Sequence, residues 1–196
     1  VVVGGACDRG PAVALSAVAE VPADRWRGDR SSALHEAGHV ILAGALGLQV
    51  ATVTLVGHPH MEAEPSQWLS PAQSVALDIA GHIAERWGRR LIYRPNDAEL
   101  GWFISAVTEC TAGQCDGCSA IRTIIVELRH PKYNAPFLAR YREIELATIE
   151  FVTHRRVFRI IERLATALLE RGTLAGDEIN ALIGADISAL DVRLVV

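Results

Sequence analysis

Five residues, His35-Glu36-Ala37-Gly38-His39, fit the pattern H-E-x-x-H. On a helix, residues four apart stand one turn above each other, so both imidazoles face the same way and can serve one metal ion. Glu36 follows the first ligand and is placed to reach a water on the metal rather than the metal itself. Zinc peptidases use this arrangement, with the glutamate as general base. The plainer alternative is two satisfied histidines on a core helix. A catalytic zinc site usually takes three protein ligands and leaves a fourth position open, so a third ligand must lie elsewhere. The metzincin continuation would need Gly and His three and six residues past His39. Leu42 and Ala45 stand there, which excludes that class. Among glutamates on later helices, Glu85 is the best placed.

The elements that must position these residues are legible in outline. Asp29 and Ser31 are candidate N-caps of a helix over about 31–46, with Leu34, Val40, Ile41, Ala43 and Leu46 as apolar faces. Val50 to Val56 is β-branched, ends at Gly57 and reads as a strand. His58 to Ser66 reads as a loop, which makes the H-x-H pair His58 and His60 solvated surface residues. Ser70-Pro71-Ala72-Gln73 opens the next helix with a Ser/Gln capping box and Pro at the first position, and Gly88 closes it. A polar connector leads to a helix near Asp97, then a turn over 110–117 and a helix over 118–129. One long helix is expected over 137–171, with Val157, Phe158, Ile161, Leu164, Ala165 and Leu168 on one side. A short helix over about 177–184 ends the ordered part. The fold class is thus mainly α with a small β element after the metal helix. Residues 1–28 read as a loose arm, 29–184 as the domain and 185–196 as a tail.

Composition narrows the function classes. Half of the 196 residues are hydrophobic and 21% are charged, enough for a sizeable core and against global disorder. A net charge of -4 with no extended basic run argues against nucleic acid as a partner. The apolar stretch Val40 to Val56 is interrupted by Gly44, Gly47, Gln49 and two threonines, so it reads as helix plus strand rather than a membrane span. The start Val1-Val2-Val3-Gly4-Gly5 lacks the basic segment of a signal peptide and reads as a fragment or a trimmed end. Four cysteines make no disulfide scaffold, and a reducing cytoplasm is the expected setting. Cys115-x-x-Cys118, with Cys110 and a histidine, is the competing chemistry: structural zinc or a redox pair. Trp68, Trp87 and Trp102 read as packing residues, His82 and His154 as core-edge or exposed, and Arg140 to Glu145 as a solvated face.

Several pieces together resemble the peptidase domain of the FtsH family of ATP-dependent zinc proteases. They are His35 to His39, the Val/Thr strand after that helix, Ala80-Gly81-His82-Ile83-Ala84-Glu85, and Leu164-Ala165-Thr166-Ala167-Leu168-Leu169-Glu170-Arg171-Gly172-Thr173-Leu174. The resemblance implies a zincin-like helical peptidase fold and a third ligand that is an aspartate opening a helix, before an Ala-Thr pair. Asp116 keeps the Asp-to-Ala spacing and is preferred; Asp97 keeps the preceding Asn. Ile121 stands where the family has Thr, and the loop before Asp116 is one residue short. The only lysine, Lys132, sits in no P-loop, so these residues resemble the proteolytic half alone, independent of ATP.

The expectation is a zinc metalloendopeptidase of unfolded or flexible polypeptides, with His35, His39 and Asp116 on the metal and Glu36 as general base. The strand over 50–56 either pairs as an edge with an extended substrate or is purely structural. FtsH proteases form hexameric rings, so the resemblance raises the possibility of a homo-oligomer, and without its own motor the domain is expected to act alone or with a separate ATPase or adaptor partner. The alternatives are a non-catalytic zinc-containing interaction module of the same fold, and a structural-zinc or redox protein built on Cys115 and Cys118.

Overall fold

Asp29 starts the first helix, α1 (Arg30–Ala45), and its Oδ1 accepts from the Ser32 N–H at 2.9 Å. Ser31, the other candidate cap, instead donates its hydroxyl to Glu85 at 2.8 Å. Between Ala33 and Ala43 nearly every residue of α1 is buried, so this helix runs through the core rather than along its surface. Helix α2 (Pro71–Gly88) begins with the expected capping box. Ser70 Oγ accepts from the Gln73 N–H at 3.2 Å, and Gln73 Oε1 accepts from the Ser70 N–H at 2.9 Å. The two helices approach closely at Gly38, where a Cβ would stand 2.7 Å from Ala84 Cβ and 2.9 Å from the Ala80 carbonyl oxygen.

The computed structural model describes residues 2–3, 28–64, 68–91, 96–101, 104, 115–129, 135–188 and 190. Cys110, Trp102 and most of the segments read as arm and tail lie outside them. Helices α3 (Asp116–Leu128) and α4 (Ala135–Thr153) pack on α2, and α5 (Arg155–Arg171) packs on α1. Helix α6 (Gly176–Ser188) closes against α1, α5 and the sheet, and runs four residues past its expected end. Residues 97–101 are helical as read, opened by Asn96, whose Oδ1 accepts from the Glu99 N–H at 3.0 Å.

The single helix expected over 137–171 is two. His154, at φ -57° and ψ 129°, turns the chain out of the helix, letting α4 cover α2 while α5 covers α1. A straight rod over those residues would be about 50 Å long and could not serve both faces. The apolar side of its second half is as read: Val157, Ile161, Leu164, Ala165 and Leu168 are buried.

Four short strands form one antiparallel sheet in the order β1-β3-β2-β4. They are β1 (Val2–Val3), β2 (Val50–Thr54), β3 (His60–Ala63) and β4 (Thr173–Ala175). The expected loop over 58–66 therefore contains a strand, whose sequence His-Met-Glu-Ala has little β-propensity and which forms by pairing with β2. Val53 stands opposite Met61 on one side and Leu174 on the other. Both edges of β2 are thus occupied, which removes the expectation that it offers an edge to a substrate. Val53, Leu55, Met61 and Leu174 join the core that surrounds α1.

Two surface expectations also change. Trp68 and Trp87 are exposed, at 103% and 42%, and do not pack in the core. The charged run on α4 is only partly solvated: Arg140 bridges to Glu127 on α3, and Arg142 pairs with Asp97 and with buried Glu145.

Candidate metal centre

Consecutive turns of α1 present His35 and His39, and the first residue of α3 presents Asp116 to them. Asp116 Oδ2 lies 2.8 Å from His35 Nε2 and 3.2 Å from His39 Nε2, and the two Nε2 atoms are 3.0 Å apart. A tetrahedral zinc ion with bonds of 2.0–2.1 Å spaces its ligand atoms about 3.3 Å apart, so the triangle fits such an ion with a small opening. His39 Nδ1 lies 2.7 Å from the Leu77 carbonyl, which can only accept. Nδ1 therefore carries a proton, which leaves Nε2 facing the triangle as the nitrogen that would offer its lone pair to a metal.

Glycine makes the approach possible. A Cβ at Gly81 on α2 would land on His39 Nε2 and stand 2.8 Å from His35 Nε2. The Ala-Gly-His-Ile-Ala-Glu stretch thus contributes first by what it lacks. It also contributes Glu85, whose Oε2 is 3.7 Å from His35 Nδ1, an electrostatic contact longer than a hydrogen bond. Ser31 and Arg89 hold Glu85 Oε1 at 2.8 and 3.2 Å. A carboxylate behind a ligating imidazole orients the ring and raises its basicity.

Burial and charge are tightly linked here. Glu36, His39 and Asp116 are at most 2% exposed. Burial pushes the Asp116 carboxyl up, but hydrogen bonds from His35 and His39 outweigh it and hold the group well below the usual carboxylate range. The dipole at the start of α3 also favours its negative charge. Burial opposes the His35 charge, yet Asp116 and Glu85 raise its pKa to about 9. Contact with His35 brings Glu85 down to about 2. Burial raises Glu36, against the pull of His39 and His35. Glu36 Oε2 and Asp116 Oδ1 are buried with no hydrogen-bond partner among the described residues, as fits polar atoms that serve a bound ion and its water.

Of the three candidate third ligands, only Asp116 meets both histidines. Asp97 is 66% exposed and pairs with Arg142. Glu85 falls in a second group, with His35 and His82. Among the described residues neither Cys115 nor Cys118 enters a group of three that could hold a metal. Compared with known proteins, the chain matches no family model and no curated sequence.

One residue beside the site, His82, was not assigned to it from the sequence. The ring of His82 meets that of His35 edge-on, centroids 4.7 Å apart, with Nε2 4.0 Å from Asp116 Oδ2. Its position three residues before Glu85 places both on one helix face, a signal that was available. His60, expected in a solvated loop, sits on β3, where its Nε2 lies 3.5 Å from Glu62. No local signal marked that strand, because β3 itself forms only through its partners.

Proposed function

We propose that this chain is a zinc-dependent metalloendopeptidase acting on unfolded or flexible polypeptides. The observation that carries the reading is the buried Glu36 carboxylate, with an unpartnered oxygen, beside a three-ligand triangle of zinc dimensions. His35 Nε2, His39 Nε2 and Asp116 Oδ2 would hold the ion. Zinc in such a site lowers the pKa of water from about 16 to about 7 and polarises a carbonyl oxygen. Glu36 accepts the proton of the attacking water at Oε2 and returns it to the leaving amine nitrogen. Its burial suits both transfers, since a raised pKa makes the carboxylate a stronger base and leaves it able to hold the proton. A flexible chain can reach a centre this deeply buried, whereas a folded surface cannot. The resemblance to FtsH peptidases agrees with this reading but does not carry it.

The test is cleavage of an unfolded protein by zinc-loaded wild type beside Glu36→Gln, with metal content measured in both. Wild-type cleavage, lost in the variant at full zinc occupancy, is the expected result. Equal activity in both removes Glu36 from the mechanism. No cleavage by either, with zinc bound, favours a non-catalytic metal-containing module.

A further inference from the structure

Cys115 and Cys118 flank Asp116 at the start of α3, the first as N-cap and the second as third residue of the helix. Their Sγ atoms are 3.2 Å apart, and the residues are 8% and 1% exposed. Neither residue is in a disulfide. A disulfide sets the two sulfurs about 2.05 Å apart, so the pair is about 1 Å from bonding distance. An N-cap side chain normally accepts a hydrogen bond from the second or third residue of its helix. The Cys115 side chain makes no such capping bond, and its Sγ stands against the thiol of that third residue. A sulfur–sulfur bond here would span the turn a cap normally spans, without unwinding the helix.

We propose that Cys115 and Cys118 are a redox-active dithiol whose closure stiffens the turn presenting Asp116 and so tightens metal binding. The oxidant is a small-molecule disulfide such as oxidised glutathione. Cys115, the more exposed of the two, attacks one sulfur of the oxidant and forms a mixed disulfide, releasing one reduced thiol. Cys118 Sγ then attacks Cys115 Sγ and displaces the second. Two electrons and two protons pass from the protein thiols to the two released molecules. By linkage, a bound metal makes oxidation of the pair easier by the same factor. The coupling to metal rests on Asp116 being a ligand; the disulfide itself does not.

The experiment titrates the full chain with oxidised and reduced glutathione, in the wild type and in a Cys7→Ser/Cys110→Ser background. Disulfide is read as the two-hydrogen mass loss and as protection from alkylation. The zinc Kd of each redox form is then measured by chelator competition. The expected result is one intramolecular disulfide in both backgrounds, lost in Cys118→Ser, with zinc bound about fivefold or more tightly by the oxidised form. Thiols that stay reduced overturn the proposal and leave the zinc reading intact. A disulfide without tighter zinc binding overturns the coupling. Zinc bound in neither redox state overturns both the coupling and the proposed function, while the mass shift still reports on the dithiol.

Discussion

At the scale of single residues, the centre separates three carboxylates that the sequence offered as third ligands, Asp116 foremost. Asp116 closes the triangle, Glu85 backs His35, and Asp97 is tied to Arg142. Asp116→Asn should therefore cost the most zinc affinity, Glu85→Gln about 10–100-fold, and Asp97→Asn nothing measurable. Equilibrium zinc titration ranks them, and a loss at Asp97 comparable to that at Asp116 would refute the assignment. Asp78 on α2 offers a second test, because burial raises its pKa from 3.8 to about 7 and leaves its Oδ2 without a partner among the described residues. Between those values the folded chain holds more protons on this group than the unfolded chain, so stability falls as pH rises across the window. Asp78→Asn stays neutral throughout. In metal-free protein it should gain stability over wild type by on the order of a few kcal/mol from about pH 4 to about pH 8. Urea melts at several pH values measure this, and a gap that does not change with pH would refute it.

At the scale of elements, the centre is a meeting of helix ends and helix faces. Helix α1 supplies the histidines, α3 brings Asp116 at its first turn, and α2 gives way at Gly81 while holding Glu85 behind. Gly81→Ala tests this cradle. The added methyl displaces both imidazoles, so zinc affinity should fall by at least an order of magnitude while the far-ultraviolet spectrum keeps its helical form. Unchanged affinity would mean that the rings have room to move. The sheet has a supporting part: β2 is held from both sides, and Val53 and, just past its end, Leu55 join the core around α1.

At the scale of the whole molecule, a metal held by α1 and α3 would join segments 77 to 81 residues apart in sequence. Binding to the folded state alone stabilises it by RT ln(1 + [L]/Kd), about 4 kcal/mol when free zinc is a thousand times Kd. Removing zinc with a chelator should thus lower Tm, and returning it should restore Tm. The shift should vanish in a variant lacking both His35 and His39. A chelator shift that survives loss of both would point to a metal held elsewhere. The described residues contain no helix long and apolar enough to cross a membrane.

Local chemistry was enough to reveal some of this protein. The H-E-x-x-H spacing, the Asp29 cap, the Ser70-Gln73 box and the β-branched run at 50–54 are short-range patterns, and each forms as its residues dictate. The triangle's third corner was legible only as a choice among Asp116, Asp97 and Glu85, since the distance between segments remote in sequence is not written in either one. Tertiary packing decided that choice. It also broke the helix at His154, where no Pro or Gly announces a break, because α1 and α2 both need cover. It made a strand of His60–Ala63 through pairing alone, and it set His82, read as core-edge or exposed, beside His35 and Asp116. Residue type and spacing determine which groups can do chemistry; only the packing of helices on one another determines which of them meet.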